Sequence, residues 1–243
     1  MRTVAKLVVT ELKMLMREPL VLAFVFAFPV VTVLVLGGVF DADDPAFQGV
    51  EPAQWYVAGY AAVVIAAIGL IMLPVHLASY RERGVLRRFA AAGFPRWSFA
   101  IAEIVVGVVV TVVACGVLLA TAGLVYGIPP VDAPVRTVAG LLVGTVAFVS
   151  LGLLLGSVAP TARAAQGIGL LVFFPVFLLG GGGPPPDAMS DVMLQLSKVI
   201  PLTHVTRAIQ QPWLALGSGS ANLAIVGAIA LIAALRWVRT VRL

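Results

Sequence analysis

The sequence predicts an all-α polytopic membrane protein, and three observations carry that reading. Mean hydropathy is +1.08 with only 11% charged residues, far above what a soluble domain shows. Charged residues divide the chain into six uncharged runs, 19–40, 52–80, 104–131, 137–162, 164–186 and 208–235. At about 1.5 Å per residue, each is long enough to cross about 30 Å of hydrocarbon as a helix. The runs are also apolar throughout, as in "AAVVIAAIGLIML", whereas strands of a membrane barrel alternate over about ten residues.

The elements follow in order, within a single transmembrane domain spanning 1–243. Residues 1–18 form an amphipathic pattern, with Arg2, Lys6, Thr10, Lys13 and Arg17 on one arc and Val4, Val8, Leu12 and Leu15 opposite. That describes a helix lying in the membrane interface. Pro19 ends it. Pro29 predicts a kink in span one. Span two is expected to end near Pro74 and His76, and span three to run from about Phe99 to Tyr126. "GIPPVDAP" makes a tight turn, and span four ends at "GSVAPTARAAQ".

Span five stops at Gly180–Pro186, where consecutive glycines and prolines cannot continue a helix. "DAMSDVMLQLSKVIP" reads as a short amphipathic helix with Met189, Val192, Met193 and Leu196 on one face. The last span covers about Ala221 to Val238. Segment 183–219 is too apolar for a free loop and is expected to be re-entrant, with its backbone buried in protein or facing a cavity.

Charge placement sets the orientation. Arg2, Lys6, Lys13, Arg17, the arginines of 79–96, Arg163, Arg236, Arg239 and Arg242 fall on one side, and only Arg136, Lys198 and Arg207 on the other. The positive-inside bias puts both termini in the cytoplasm of a multi-pass plasma-membrane protein. Asp41, Asp43, Asp44, Glu51, Asp132, Asp187 and Asp191 then lie outside. The net charge of +5 therefore reflects topology, and no nucleic acid partner is expected. The single cysteine, Cys115, lies in an apolar run and implies neither a disulfide framework nor a metal site.

Catalytic chemistry is absent from the pattern. No GxxxxGK[ST] occurs, and none of Lys6, Lys13 and Lys198 follows a glycine. The chain is thus expected to bind no ATP or magnesium itself. His76 and His204 have no ligand-type neighbours at metal spacing. Glu103 is the one carboxylate set into a span, near its cytoplasmic end, and is read either as a pairing with a loop arginine or as a relay from loop to span. An ion-coupled secondary transporter would need buried ionisable groups near mid-membrane, which the spans lack.

The charge that does occur is concentrated in "SYRERGVLRRFAAAGFPRWSFA", residues 79–100, which holds Arg81, Arg83, Arg87, Arg88 and Arg96. Treated as one helix, 79–94 places Arg81, Arg83, Arg87 and Arg88 on one half and Val85, Leu86 and Phe89 on the other, with Glu82 on the apolar side. Arg83 and Arg87 then form a like-charge i,i+4 pair costing a few tenths of a kcal/mol. Anionic lipid or an acidic partner surface could offset that repulsion. The carboxylate of Glu82 favours a protein partner.

Glu82-Arg83-Gly84-Val85-Leu86-Arg87-Arg88-Phe89, followed by Pro95 and Trp97 ahead of a span, resembles the ABC-2 type permeases of ATP-driven exporters, most closely those of bacterial drug and antibiotic exporters. The resemblance covers nearly the whole chain, and "IPLTHVTRAIQQ" is similar to the family's stretch before the last span. It implies that 79–96 holds a coupling helix seated in the cleft of a separate ATPase, which carries the ATP and magnesium. It implies further a second copy of the permease, with cargo passing between the two copies. Phe173, Phe174 and Phe177 of span five are the residues expected to line that path. A lipophilic cargo is favoured over a polysaccharide or lipid-linked glycan, because the aromatic content is 8% and mostly phenylalanine.

Overall fold

The computed structural model describes residues 8–10, 12, 13, 15, 17–41, 44–91, 93 and 96–240. Most of the expected interfacial helix, Asp43 and Pro95 lie outside these, as do the side chains of Phe89, Arg96 and Trp97. Of residues 1–18 it describes enough to show Leu15 buried and Lys13 exposed.

The described residues form helices and no strand. Six of these helices are long and apolar enough to span a membrane: α1 (Pro19–Leu36), α2 (Pro52–Glu82), α4 (Arg96–Tyr126), α5 (Pro134–Val158), α6 (Ala162–Gly182) and α9 (Ser220–Thr240). Three shorter helices are α3 (Val85–Ala91), α7 (Asp191–Ser197) and α8 (Pro201–Trp213).

Helix α2 differs from the expectation. It does not end near Pro74 and His76 but continues to Glu82. Proline removes one N–H and presses its ring on the carbonyl a turn earlier. A widened π turn, Ile68–Met72, sits just ahead of Leu73 and Pro74 and absorbs that mismatch, so the helix passes the proline. The same device recurs in α1, where Ala23–Ala27 precedes Pro29, whereas in α6 the π turn Leu178–Gly182 follows Pro175 and leads into the break at Gly181.

The bundle is organised around α2, whose most apolar stretch is wholly buried, as befits a helix that is apolar all round. Lipid is as apolar as leucine, so helices here associate through close contact, which small residues permit. Helix α5 supplies them. A Cβ on Gly140 would lie 2.6 Å from the Ala208 carbonyl oxygen, and one on Gly144 2.7 Å from Val205. On Gly152 it would fall on the Gly69 carbonyl oxygen of α2.

Helix α8 fills the space beside the broken end of α6. At Gly181 φ is 122°, a conformation open to glycine, and the turn frees the last carbonyls of α6. Thr206 Oγ1 donates to the Gly180 carbonyl at 2.7 Å and Tyr60 Oη to that of Gly182 at 2.8 Å. Gln210 Nε2 donates to Trp55 O at 2.9 Å, which ties α8 to α2. Every buried carbonyl here needs such a donor. Thr206→Val keeps the side-chain shape and orphans the Gly180 carbonyl, at a cost of about 1–3 kcal/mol. The expected result is a lower apparent melting temperature of the purified protein, with the exposed Ser218→Ala variant unchanged.

Helix α7 begins at Ser190, whose Oγ accepts from Met193 N. Met189 falls before it. Val192 and Leu196 are exposed and Met193 is half-buried, so the expected apolar face points away from the bundle.

Candidate functional site

The arginine-rich stretch is not one helix. Arg83 and Gly84 make a turn, Gly84 takes φ +66°, and the chain restarts as α3. Glycine accepts this left-handed position without a Cβ penalty, which makes it the usual residue just past a helix end. The continuous wheel over 79–94 is therefore corrected. Arg83 and Arg87 do not share one helix, and Glu82 belongs to the last turn of α2, not to an apolar face of the segment that follows. Leu86 is buried and anchors α3, while Arg87 and Arg88 are exposed, as is Arg83 in the turn.

The two residues before the turn reach other helices. Arg81 Nη1 donates to the carbonyls of Gly156 (3.2 Å), Ser157 and Ala159 (3.1 Å), the last turn of α5 and the residue after it. Glu82 Oε2 accepts from the backbone N–H of Ala162 at 3.1 Å, the first residue of α6. Thr161, the N-cap of α6, accepts from Ala164 N at 3.1 Å. Each charge meets the helix end of opposite polarity: the cation faces free carbonyls and the anion faces free N–H groups. Both side chains are exposed, so these contacts act more through geometry than through energy.

Sequence reasoning did not find the reach of Arg81 and Glu82. The readable signal was "APTARAAQ", a Thr N-cap opening a helix right after span four, which advertises unpaired N–H groups for a carboxylate.

The other expected residues lie elsewhere. Glu103 is buried in the early turns of α4, and His76 is buried in α2. Phe173 and Phe177 of α6 are buried in a ring cluster with Phe24 and Phe28 of α1 and Tyr60 of α2. The Phe28–Phe177 centroids are 5.1 Å apart. Only Phe174 of the three presents its ring at the surface, 44% exposed. A groove of about 670 Å³ runs between α5, α6 and α9, lined by Leu151, Leu155, Val172, Val176 and Ile232 with Arg236 at one end. No group of three or more His, Cys, Asp or Glu poised to hold a metal occurs among the described residues.

Six spans, a basic helix hung from the second, and a broken fifth span define an arrangement that can be compared with known proteins. The family model of the ABC-2 type transporter matches residues 4–212. The chain belongs to that family. The permease is also similar to the protein named "Probable multidrug ABC transporter permease YbhR" in Escherichia coli strain K12 and in E. coli O157:H7. Each is 26% identical over 163 residues, 66% of this chain and 44% of the relative. The permease thus aligns with less than half the length of the curated relatives it matches. With its six apolar helices, it is a multi-pass membrane protein of the ABC transporter class.

Proposed function

We propose that the permease is the membrane half of an ATP-driven exporter, working as two copies with two separate ATPase subunits. ATP and magnesium bind to the ATPases, and α3 is the coupling helix that meets them. The observation carrying this reading is that α3 stands past the end of the central helix α2, anchored by Leu86, with Arg83, Arg87 and Arg88 turned to the solvent. A chain without a phosphate loop needs such a handle to receive force from elsewhere. By the positive-inside rule, α3 and both termini face the cytoplasm.

The α7–α8 segment is read as re-entrant from the outer side. Val205 meets Gly144, ten residues or about 15 Å into α5 from Pro134. The cargo is a lipophilic or drug-like compound. An apolar groove, a phenylalanine cluster between α1 and α6, and the name of the curated relatives support that class. In this conformation Phe174 is the open candidate for the path, and Phe173 and Phe177 join it only if α1 and α6 separate.

The test is biochemical. The purified chain alone is expected to hydrolyse no ATP above background. Co-expression with an ATPase encoded beside it is expected to yield a stable complex with ATP-dependent uptake of a lipophilic dye into inverted vesicles. Hydrolysis by the chain alone, or failure of every such ATPase to co-purify, refutes the reading.

A further inference from the structure

We propose that Arg81 and Glu82 form a joint inside the chain that ties the coupling helix to spans four and five, so that displacement of α3 is delivered to α6. This rests on the reading of α3 as the docking helix. It departs from the expectation drawn from the sequence in what Glu82 does: the carboxylate is a positioning group facing α6, not a contact to the ATPase.

The observations are geometric. One guanidinium nitrogen is shared among three carbonyls at the end of α5, and the next residue accepts from the first N–H of α6. Adjacent residues at the end of α2 therefore hold both sides of the short connection Ala159–Thr161. Only Arg83 and Gly84 separate this joint from α3, and the Arg88 N–H donates to the Gly84 carbonyl at 3.2 Å. Force applied to α3 thus has a hydrogen-bonded route into two spans, without passing through the buried middle of α2.

Helix α6 is built to use such a push. It contains Pro175, the π turn Leu178–Gly182, and the non-helical Gly181. Its outer end is held by Thr206 and Tyr60. A rigid inner segment with a glycine break near its outer end can swing at that break. The ring cluster of Phe173 and Phe177 against α1 lies on the moving part.

Polarity explains why these two residue types occupy these positions. An arginine offers several N–H donors to a helix C-terminus, and a carboxylate accepts at a helix N-terminus. Lysine keeps the charge and three donors, so Arg81→Lys should retain much of the function. Glutamine at position 82 keeps an acceptor and loses the charge, so Glu82→Gln should lie between the parent and Glu82→Ala.

The experiment uses the permease with its ATPase in proteoliposomes, and the variants Glu82→Ala, Glu82→Gln, Arg81→Ala, Arg81→Lys and Arg88→Ala. Three quantities are read: complex assembly, dye transported per ATP hydrolysed, and hydrogen exchange of amides 161–165 in the permease alone. Glu82→Ala is expected to assemble like the parent, to lower transport per ATP about tenfold, and to speed exchange at Ala162 by about tenfold or more. Glu82→Gln should fall between, and Arg81→Lys should restore most of what Arg81→Ala loses. A merely structural role would lower stability without changing the transport-to-hydrolysis ratio.

If Glu82→Ala loses assembly as Arg88→Ala does while exchange at 161–165 stays parental, Glu82 faces the ATPase. The joint is then wrong and the docking reading stands. If Arg88→Ala assembles normally while Glu82→Ala speeds exchange and uncouples transport, the joint holds and Arg88 is not the docking contact. Parental exchange together with a parental transport ratio in Glu82→Ala overturns the joint outright.

Discussion

Reversing the charge of Arg87 and Arg88 to glutamate is expected to abolish capture of the ATPase while leaving the permease folded and in the membrane. Both side chains project from α3 into solvent, and the helix is held from below by Leu86, so reversal removes no internal packing. Losing one member of a desolvated charge pair costs about 2–5 kcal/mol, and placing like charges opposite each other adds repulsion. That corresponds to a loss of about thirty- to several-thousandfold in affinity, because each 1.4 kcal/mol is tenfold. Co-purification and dye uptake should both vanish, with the melting profile of the permease alone unchanged. A lipid-anchoring role gives a different pattern. The double variant would then still bind the ATPase and would lose only its association with anionic vesicles, and the docking assignment would fall.

The second large effect lies in the bundle. Gly152→Val is expected to eliminate the monodisperse folded species, and Gly152→Ala to lower its melting temperature. The reason is a backbone-to-backbone approach. A Cβ at 152 collides with the Gly69 carbonyl oxygen and stands 3.0 Å from Leu73 Cβ, so no flexible side chain can yield. Ordinary overpacking costs about 1–3 kcal/mol, and a contact that must push two helices apart exceeds that range. The collision also falls in the π turn Ile68–Met72 that carries α2 past Pro74, so relaxing it disturbs the central helix. Gly116→Ala is the control, because nothing lies within 4 Å of its added Cβ. Equal melting of Gly152→Ala and Gly116→Ala would contradict the close-packed interface.

Much of the helical architecture was legible, and the misses have two opposite causes. The Gly180–Pro186 break was readable because glycine and proline act on their own backbone, though α6 runs on to Gly182 before it ends. The wheel over 79–94 failed because it assumed continuity across Gly84, where a glycine after a charged turn was itself a stop signal. The end placed at Pro74 failed in the opposite direction, because a π turn upstream rescued the helix. The Gly140–Gly144 and Gly152–Gly156 spacings in span four could have announced a close interface, although not its partner.

The sequence by itself determined the six spans, the basic loop after the second, and the lack of a phosphate-binding loop. These depend on hydropathy, charge and motif spacing, which are properties of short windows. Tertiary structure alone decided that α2 is central, that Thr206 and Tyr60 satisfy the broken end of α6, and that Arg81 and Glu82 grip helix ends about 75 to 80 residues away in sequence. A helix terminus exposes N–H or carbonyl groups wherever it occurs, but which side chain answers them depends on how the helices pack.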